Sequence, residues 1–183
     1  IENTLYNHYL GAIALNGCGT FYYNPMRVVG DLSETSDHGH GPASSRCMLP
    51  QINRTACCMP NCWRFLGALP EYLFSYDPDG IYINLYTTCT VEHSFADGRH
   101  VALSVDTEYP HGGDVTIRFD GEDPARFVLH LRIPGWCEHA TAKWPEQEEM
   151  HVDGGNYLAI DRTWRNEDTV QLRFDMPVRM ILP

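Results

Sequence analysis

The sequence predicts an α+β chain, helical up to about residue 75 and all-β beyond it. Three observations carry this. Apolar residues recur at helical spacing over 1–16 and again over 60–75. Period-two alternation takes over after residue 80 and repeats in several short runs. Between the two regimes stands Asp77-Pro78-Asp79-Gly80, a cluster of turn formers. Two domains are expected, residues 1–75 and 76–183.

Taken in order, the first helix rests on Ile1, Leu5, Tyr6, Tyr9, Leu10, Ile13 and Ala14, with Gly17 as its terminator. Thr20 to Met26 reads as a short extended segment. Val28 to Thr55, which includes His38-Gly39-His40-Gly41, has no periodicity and reads as a long loop of the functional or mobile kind. The second helix opens with Pro60 in its first turn, where a missing N–H is no loss, and Pro70 is expected to kink or split it. The strands follow at Ile81-Ile83-Leu85, Val101-Leu103-Val105, Val115-Ile117-Phe119, Phe127-Leu129-Leu131-Ile133 and Val170-Leu172-Phe174. Asp97-Gly98, His111-Gly112-Gly113 and Asp153-Gly154-Gly155 supply turns between them. Short alternating strands at this spacing predict an antiparallel β-sandwich with Val101, Leu103, Leu129, Leu131, Leu172 and Phe174 in its core. Two helices cannot close a core alone, whereas a β-domain of about 105 residues can.

Composition narrows the function. The 183 residues carry a formal charge of −11, and Lys143 is the one lysine, so no basic stripe is present for nucleic acid or an anionic membrane. No apolar run approaches the roughly eighteen residues of a membrane span. The chain opens on Ile1 inside a helical pattern and stops within the apolar run Arg179–Pro183, so it reads as a piece of a longer protein. Compartment (cytoplasmic, or periplasmic and secreted) and oligomeric state are not legible from it.

Chemistry is sought first at Cys57-Cys58. The seven cysteines are an odd number and too scattered for a disulfide scaffold. Adjacent cysteines pair poorly with each other, because consecutive Cα atoms lie about 3.8 Å apart, below the roughly 4.4–6.8 Å disulfide range. With Pro60 opening a helix, both sulfurs fall beside a helix N-terminus, whose dipole favours thiolate over thiol. Thiolates attack electrophiles and bind zinc. The pair alone fits a catalytic centre, a closed zinc site or two buried thiols. Cys18, Cys89 and Cys137 read as small buried hydrophobes, and Cys62 as a core residue of the second helix. His38 and His40 read as a solvated Gly-His loop, Trp136 and Trp164 as structural residues of the sandwich, and Glu146, Glu148 and Glu149 as a solvated loop face.

Four stretches together bear a resemblance. They are Tyr22-Tyr23-Asn24-Pro25; Cys57-Cys58-Met59-Pro60-Asn61-Cys62-Trp63-Arg64-Phe65-Leu66-Gly67-Ala68-Leu69-Pro70; Leu131-Arg132-Ile133-Pro134-Gly135-Trp136; and the run from Trp164 through Asp168-Thr169-Val170 to Met176-Pro177-Val178-Arg179. Their order and spacing resemble the β-L-arabinofuranosidases of glycoside hydrolase family 127, over nearly the whole chain. The resemblance implies that residues 1–75 are the end of an (α/α) helical toroid carrying an active site, followed by a β-sandwich. It implies a retaining glycosidase acting on a carbohydrate, with Cys57 as nucleophile, Cys57 and Cys58 as zinc ligands, and Tyr22 lining the sugar pocket. In the family the other zinc ligands come from an upstream Glu-x-Cys motif, and a separate upstream glutamate is the acid/base. This chain has no Glu-x-Cys; Glu34-Thr35-Ser36 is the nearest look-alike and carries a serine where the thiol belongs. The 183 residues alone are therefore expected to bind zinc weakly and to be inactive. Two other functions stay open, a non-catalytic carbohydrate-binding or accessory β-sandwich protein and a metal-free cysteine hydrolase using Cys57 with His38 or His40.

Overall fold

The computed structural model describes the backbone at residues 1–13, 19–21, 48–50 and 58–178, and side-chain surroundings at 1–13 and 60–178. The chain divides into two compact units, Ile1–Leu69 and Pro70–Pro183.

In the first unit the opening helix is present but not as a regular α-helix. A wide π-helical turn, Thr4–Tyr9, tightens into a 3₁₀ turn, Leu10–Ala12, and Ile13 is already extended (φ −84°, ψ 134°). The helix thus stops before the predicted Gly17. Leu5 is its one buried residue, so little packing enforces a regular α-helical repeat. Strands β1 (Gly19–Phe21) and β2 (Met48–Pro50) pair antiparallel, Thr20 facing Leu49. β2 falls inside the stretch expected to be loop. The helix α1 spans Cys58–Leu73 and runs through Pro70 without being split. Tyr9 lies against Phe65 of α1 with ring centroids 5.4 Å apart, joining the two helical elements. Trp63 is 56% exposed and Leu66 and Tyr72 are also exposed, so much of the apolar surface of α1 is uncovered in this chain.

The second unit is the β-sandwich. It comprises β3 (Phe74–Tyr76), β4 (Gly80–Ile83), β5 (Cys89–Ser94), β6 (His100–Thr107), β7 (Asp114–Phe119), β8 (Ala125–Arg132), β9 (Ala140–Trp144), β10 (Gln147–Val152), β11 (Tyr157–Trp164) and β12 (Thr169–Phe174). One sheet has six strands in the order β10-β9-β12-β7-β6-β5; the other has four, β11-β8-β4-β3. Among the described residues all of this unit's pairings are antiparallel but one: β4 and β8 run parallel, with Ile81 opposite Leu129. A parallel pair requires a long crossover, here supplied by the β5–β7 excursion through the other sheet.

Alternation decides which side chains meet between the sheets. Val101, Leu103, Leu129, Leu131, Leu172 and Phe174 are all buried, as their spacing predicted. Ile81 and Ile83 are buried too, but the strand ends there, and Tyr86 rather than Leu85 continues the core. Phe127 of β8 is the hub: its ring meets Phe95, Phe119 and Trp164 at centroid distances of 6.1, 6.3 and 5.8 Å. Trp164 is fully enclosed and its indole N–H donates to the Phe127 carbonyl at 3.2 Å. Cys137 is buried, its thiol 3.4 Å from the His139 carbonyl; Cys89 and Cys62 are only half-buried, so neither is the enclosed residue the sequence implied.

The turns follow their residues. Asp77 turns the chain into β4 by accepting the Asp79 N–H at 2.9 Å, and Gly98 takes φ +90° in the β5–β6 hairpin. At the β10–β11 turn a Cβ on Gly154 would sit 2.2 Å from the Cys137 carbonyl oxygen and 2.9 Å from that of Pro134. These are backbone atoms and cannot swing aside. Gly154→Ala is therefore expected to lower the urea midpoint, at a cost of about 1–3 kcal/mol. Gly135→Ala, whose Cβ would meet only the Gly155 Cα at 3.7 Å, is expected to stay within about 0.5 kcal/mol. Equal midpoints for the two variants would show that the Pro134–Cys137 turn yields.

Candidate active site

A helix begins at Cys58, the second cysteine of the pair. α1 opens at Cys58 with Pro60 inside its first turn, so the element predicted to present the thiols is in place. Cys57 and Tyr22, with His38 and His40, lie outside the described residues, and of Cys58 only the backbone is described. Four residues on, one helical turn later, Cys62 is a half-buried free thiol. Burial raises the nearby Tyr9 hydroxyl above the ordinary tyrosine range, and the proximity of Cys62 adds to the shift. Among the described residues no group of three or more His, Cys, Asp and Glu side chains is arranged to hold a metal. Thiolates at Cys57 and Cys58 would be soft donors of the kind that suit a zinc ion, with Cys58 at the start of α1.

The other sequence candidates separate by burial. Trp164 belongs to the core. Trp136 is 39% exposed, with its ring nearly parallel to that of Tyr109 at 6.4 Å and edge-on to Phe174. Glu146, Glu148 and Glu149 are exposed, but the last two lie on the edge strand β10 rather than in a loop, and Glu149 accepts a hydrogen bond from Thr141 at 2.8 Å.

Two family models match this chain in tandem. The β-L-arabinofuranosidase GH127 catalytic domain matches residues 1–71, and the β-L-arabinofuranosidase GH127 middle domain matches residues 80–176. The chain belongs to glycoside hydrolase family 127. Solved structures agree with that membership. A glycoside hydrolase is 34% identical over 96% of this chain with a TM-score of 0.80. A GH127 β-L-arabinofuranosidase from Geobacillus stearothermophilus T6 is 31% identical over 98% of it, also at 0.80. A GH127 β-arabinofuranosidase is 28% identical over 96%, at 0.73. This chain spans 28% of the length of each of those three. No curated protein matches. Within this family the α1 start coincides with the cysteine-pair motif of the sequence, and the match to the catalytic-domain model ends at residue 71, inside that helix.

Proposed function

We propose that this chain is part of a retaining glycoside hydrolase that releases L-arabinofuranose or a related furanoside, with Cys57 as nucleophile and Cys57 and Cys58 among the ligands of a zinc ion. The observation that carries the reading is the tandem match to GH127 catalytic and middle domains, with α1 beginning at the cysteine pair. We further assign residues 1–75 to the end of the helical catalytic domain and 76–183 to the β-sandwich, and Tyr22 to the sugar pocket. In this reading the Cys57 sulfur attacks the anomeric carbon while the glycosidic C–O bond breaks and the departing oxygen takes a proton from an acid elsewhere in the protein. Water then displaces the sulfur with net retention of configuration. The sulfur must be ionised near neutral pH, where a free thiol of pKa about 8.5 is mostly protonated. The start of α1 favours the thiolate through the helix dipole. Zinc, when bound, would lower the thiol pKa further.

The test uses the full-length protein that carries this chain and a chromogenic β-L-arabinofuranoside. Hydrolysis with retained configuration is expected, lost after thorough chelation and restored by zinc. Activity that survives chelation would discard the zinc and favour a metal-free cysteine mechanism. Failure on every furanoside tried would discard the substrate class.

A further inference from the structure

The outward face of the four-stranded sheet carries an ordered aromatic and polar array. The register places Ser75, Tyr82, His130 and Ala159 in one row across β3, β4, β8 and β11, and Gly80, Val128 and Asp161 in the next. Tyr82 and His130 stack face to face, 3.9 Å between centroids and 3° between planes. Tyr157 meets Tyr82 edge-on at 5.6 Å and remains 44% exposed. Their polar ends are tied down: the Tyr157 hydroxyl donates to Asn84 Oδ1 at 2.6 Å, Asn84 Nδ2 donates to Ser75 Oγ at 3.1 Å, and the Tyr82 hydroxyl donates to Asp77 at 2.7 Å. That last bond holds the Asp77 carboxyl below the usual carboxylate range.

Beside the rings the surface drops. The His130 ring leans over Gly80, where a Cβ would come within 3.1 Å of it, and Val128 forms the floor of a cleft of about 440 Å³. Its far side is the Arg126–Asp161 pair, two hydrogen bonds of 3.2 and 3.1 Å in a fork. Arg99, the other guanidinium lining it, is paired with Asp97 at 2.6 Å and caps backbone carbonyls of Arg126 and Pro78. Both cations are thus already matched by carboxylates, Asp79 adds a further negative charge, and the whole chain stands at −11. An anionic ligand is disfavoured; a neutral one rich in hydroxyl groups, with an apolar C–H face, matches what is exposed.

We propose that this face of the β-sandwich binds a neutral oligosaccharide, one sugar ring lying on Tyr157 and a later ring of the same glycan, beyond the Tyr82–His130 row, in the Val128 cleft. Tyr157 supplies the ring face, and Asn84, Asp77 and the Arg126–Asp161 fork offer unused lone pairs and N–H groups at fixed positions. Pre-ordering by the Tyr157–Asn84–Ser75 chain keeps the entropy cost of binding low.

The experiment is affinity electrophoresis of the 183-residue chain through gels containing soluble arabinan or arabinoxylan, with polygalacturonate as the acidic control. Retardation by at least one neutral glycan is expected, and none by polygalacturonate. Tyr157→Ala should weaken binding about three- to tenfold, Tyr157→Phe should weaken it less because the ring face stays while the hydroxyl that orders Asn84 is lost, and Val128→Lys should weaken it by closing the cleft. Circular dichroism checks that each variant is folded. No retardation by either neutral glycan, or equal binding by Tyr157→Ala, would overturn the proposal. So would glycan-independent self-association abolished by Tyr157→Ala, which would make the face a contact between copies. The readout is binding without turnover, so failure here leaves the glycosidase reading intact, and loss of turnover leaves this one intact.

Discussion

Cys57→Ser, made in the full-length protein that carries this chain, is expected to lower kcat by about a thousandfold or more while the fold survives. The change replaces one sulfur by oxygen and removes a group that ionises near neutrality; a serine hydroxyl does not, and here it would have no assigned base. Losses of that order are what removing a nucleophile costs in other covalent enzymes. Cys58→Ser is the informative companion. On the proposed roles it weakens metal binding and lowers turnover less steeply, because the nucleophile remains. Initial rates on a β-L-arabinofuranoside, beside zinc content by mass spectrometry, separate the two. Full activity in Cys57→Ser would take the nucleophile assignment away, and an identical loss in both variants would reduce the pair to a joint structural role.

The largest stability effect is expected at Phe127. Its side chain is 2% exposed and three aromatic rings converge on it from β11, β7 and the end of β5. Phe127→Ala removes the ring and leaves a cavity that Trp164, held by its hydrogen bond to the Phe127 carbonyl, is poorly placed to fill. The expected cost is about 3–5 kcal/mol, read as a shift of the urea or thermal midpoint of the sandwich. A loss below about 1 kcal/mol would mean that the core collapses around the gap. Val128→Ala, one position along and on the outward face, serves as the control and should cost far less.

How much of this was legible in the sequence varies strand by strand, for physical reasons. β6, β7, β8 and β12 were read directly, because their inward positions hold large apolar residues that make the period-two signal strong. β9 was missed because its inward residues, Ala140 and Ala142, are too small to raise that signal. β10 is an edge strand exposed on both faces, with an irregular register between Gln147 and Met150, so it carries no burial pattern. In β11 the inward row is interrupted by Arg162, whose guanidinium lies over Trp164 at 5.3 Å and donates to the Pro145 carbonyl at 2.6 Å. A half-buried cation kept there by such partners reads as a surface residue in the sequence. The parallel β4–β8 pair leaves no local trace, since its register is settled between segments far apart in the chain. The site divides the same way. Cys57-Cys58 is visible because both thiols and the helix that follows are contiguous, whereas the Tyr82–His130–Tyr157 array is assembled from three strands and shows only after folding.

The parallel pairing of β4 with β8 also fixes an order of events during synthesis. β4 can pair with β3 as soon as both have emerged, but Gly80 must wait for Val128, 48 residues later. At about 5–20 residues per second that is roughly 2–10 s, long compared with the microseconds a hairpin needs to form. For that interval β4 offers a bare edge on the side that β8 will occupy. The β5–β7 meander, which is complete within Cys89–Phe119, is in a position to form first and to act as the surface on which β4 and the arriving β8 are zipped together. The one parallel ladder thus makes the smaller sheet the late partner in building this domain.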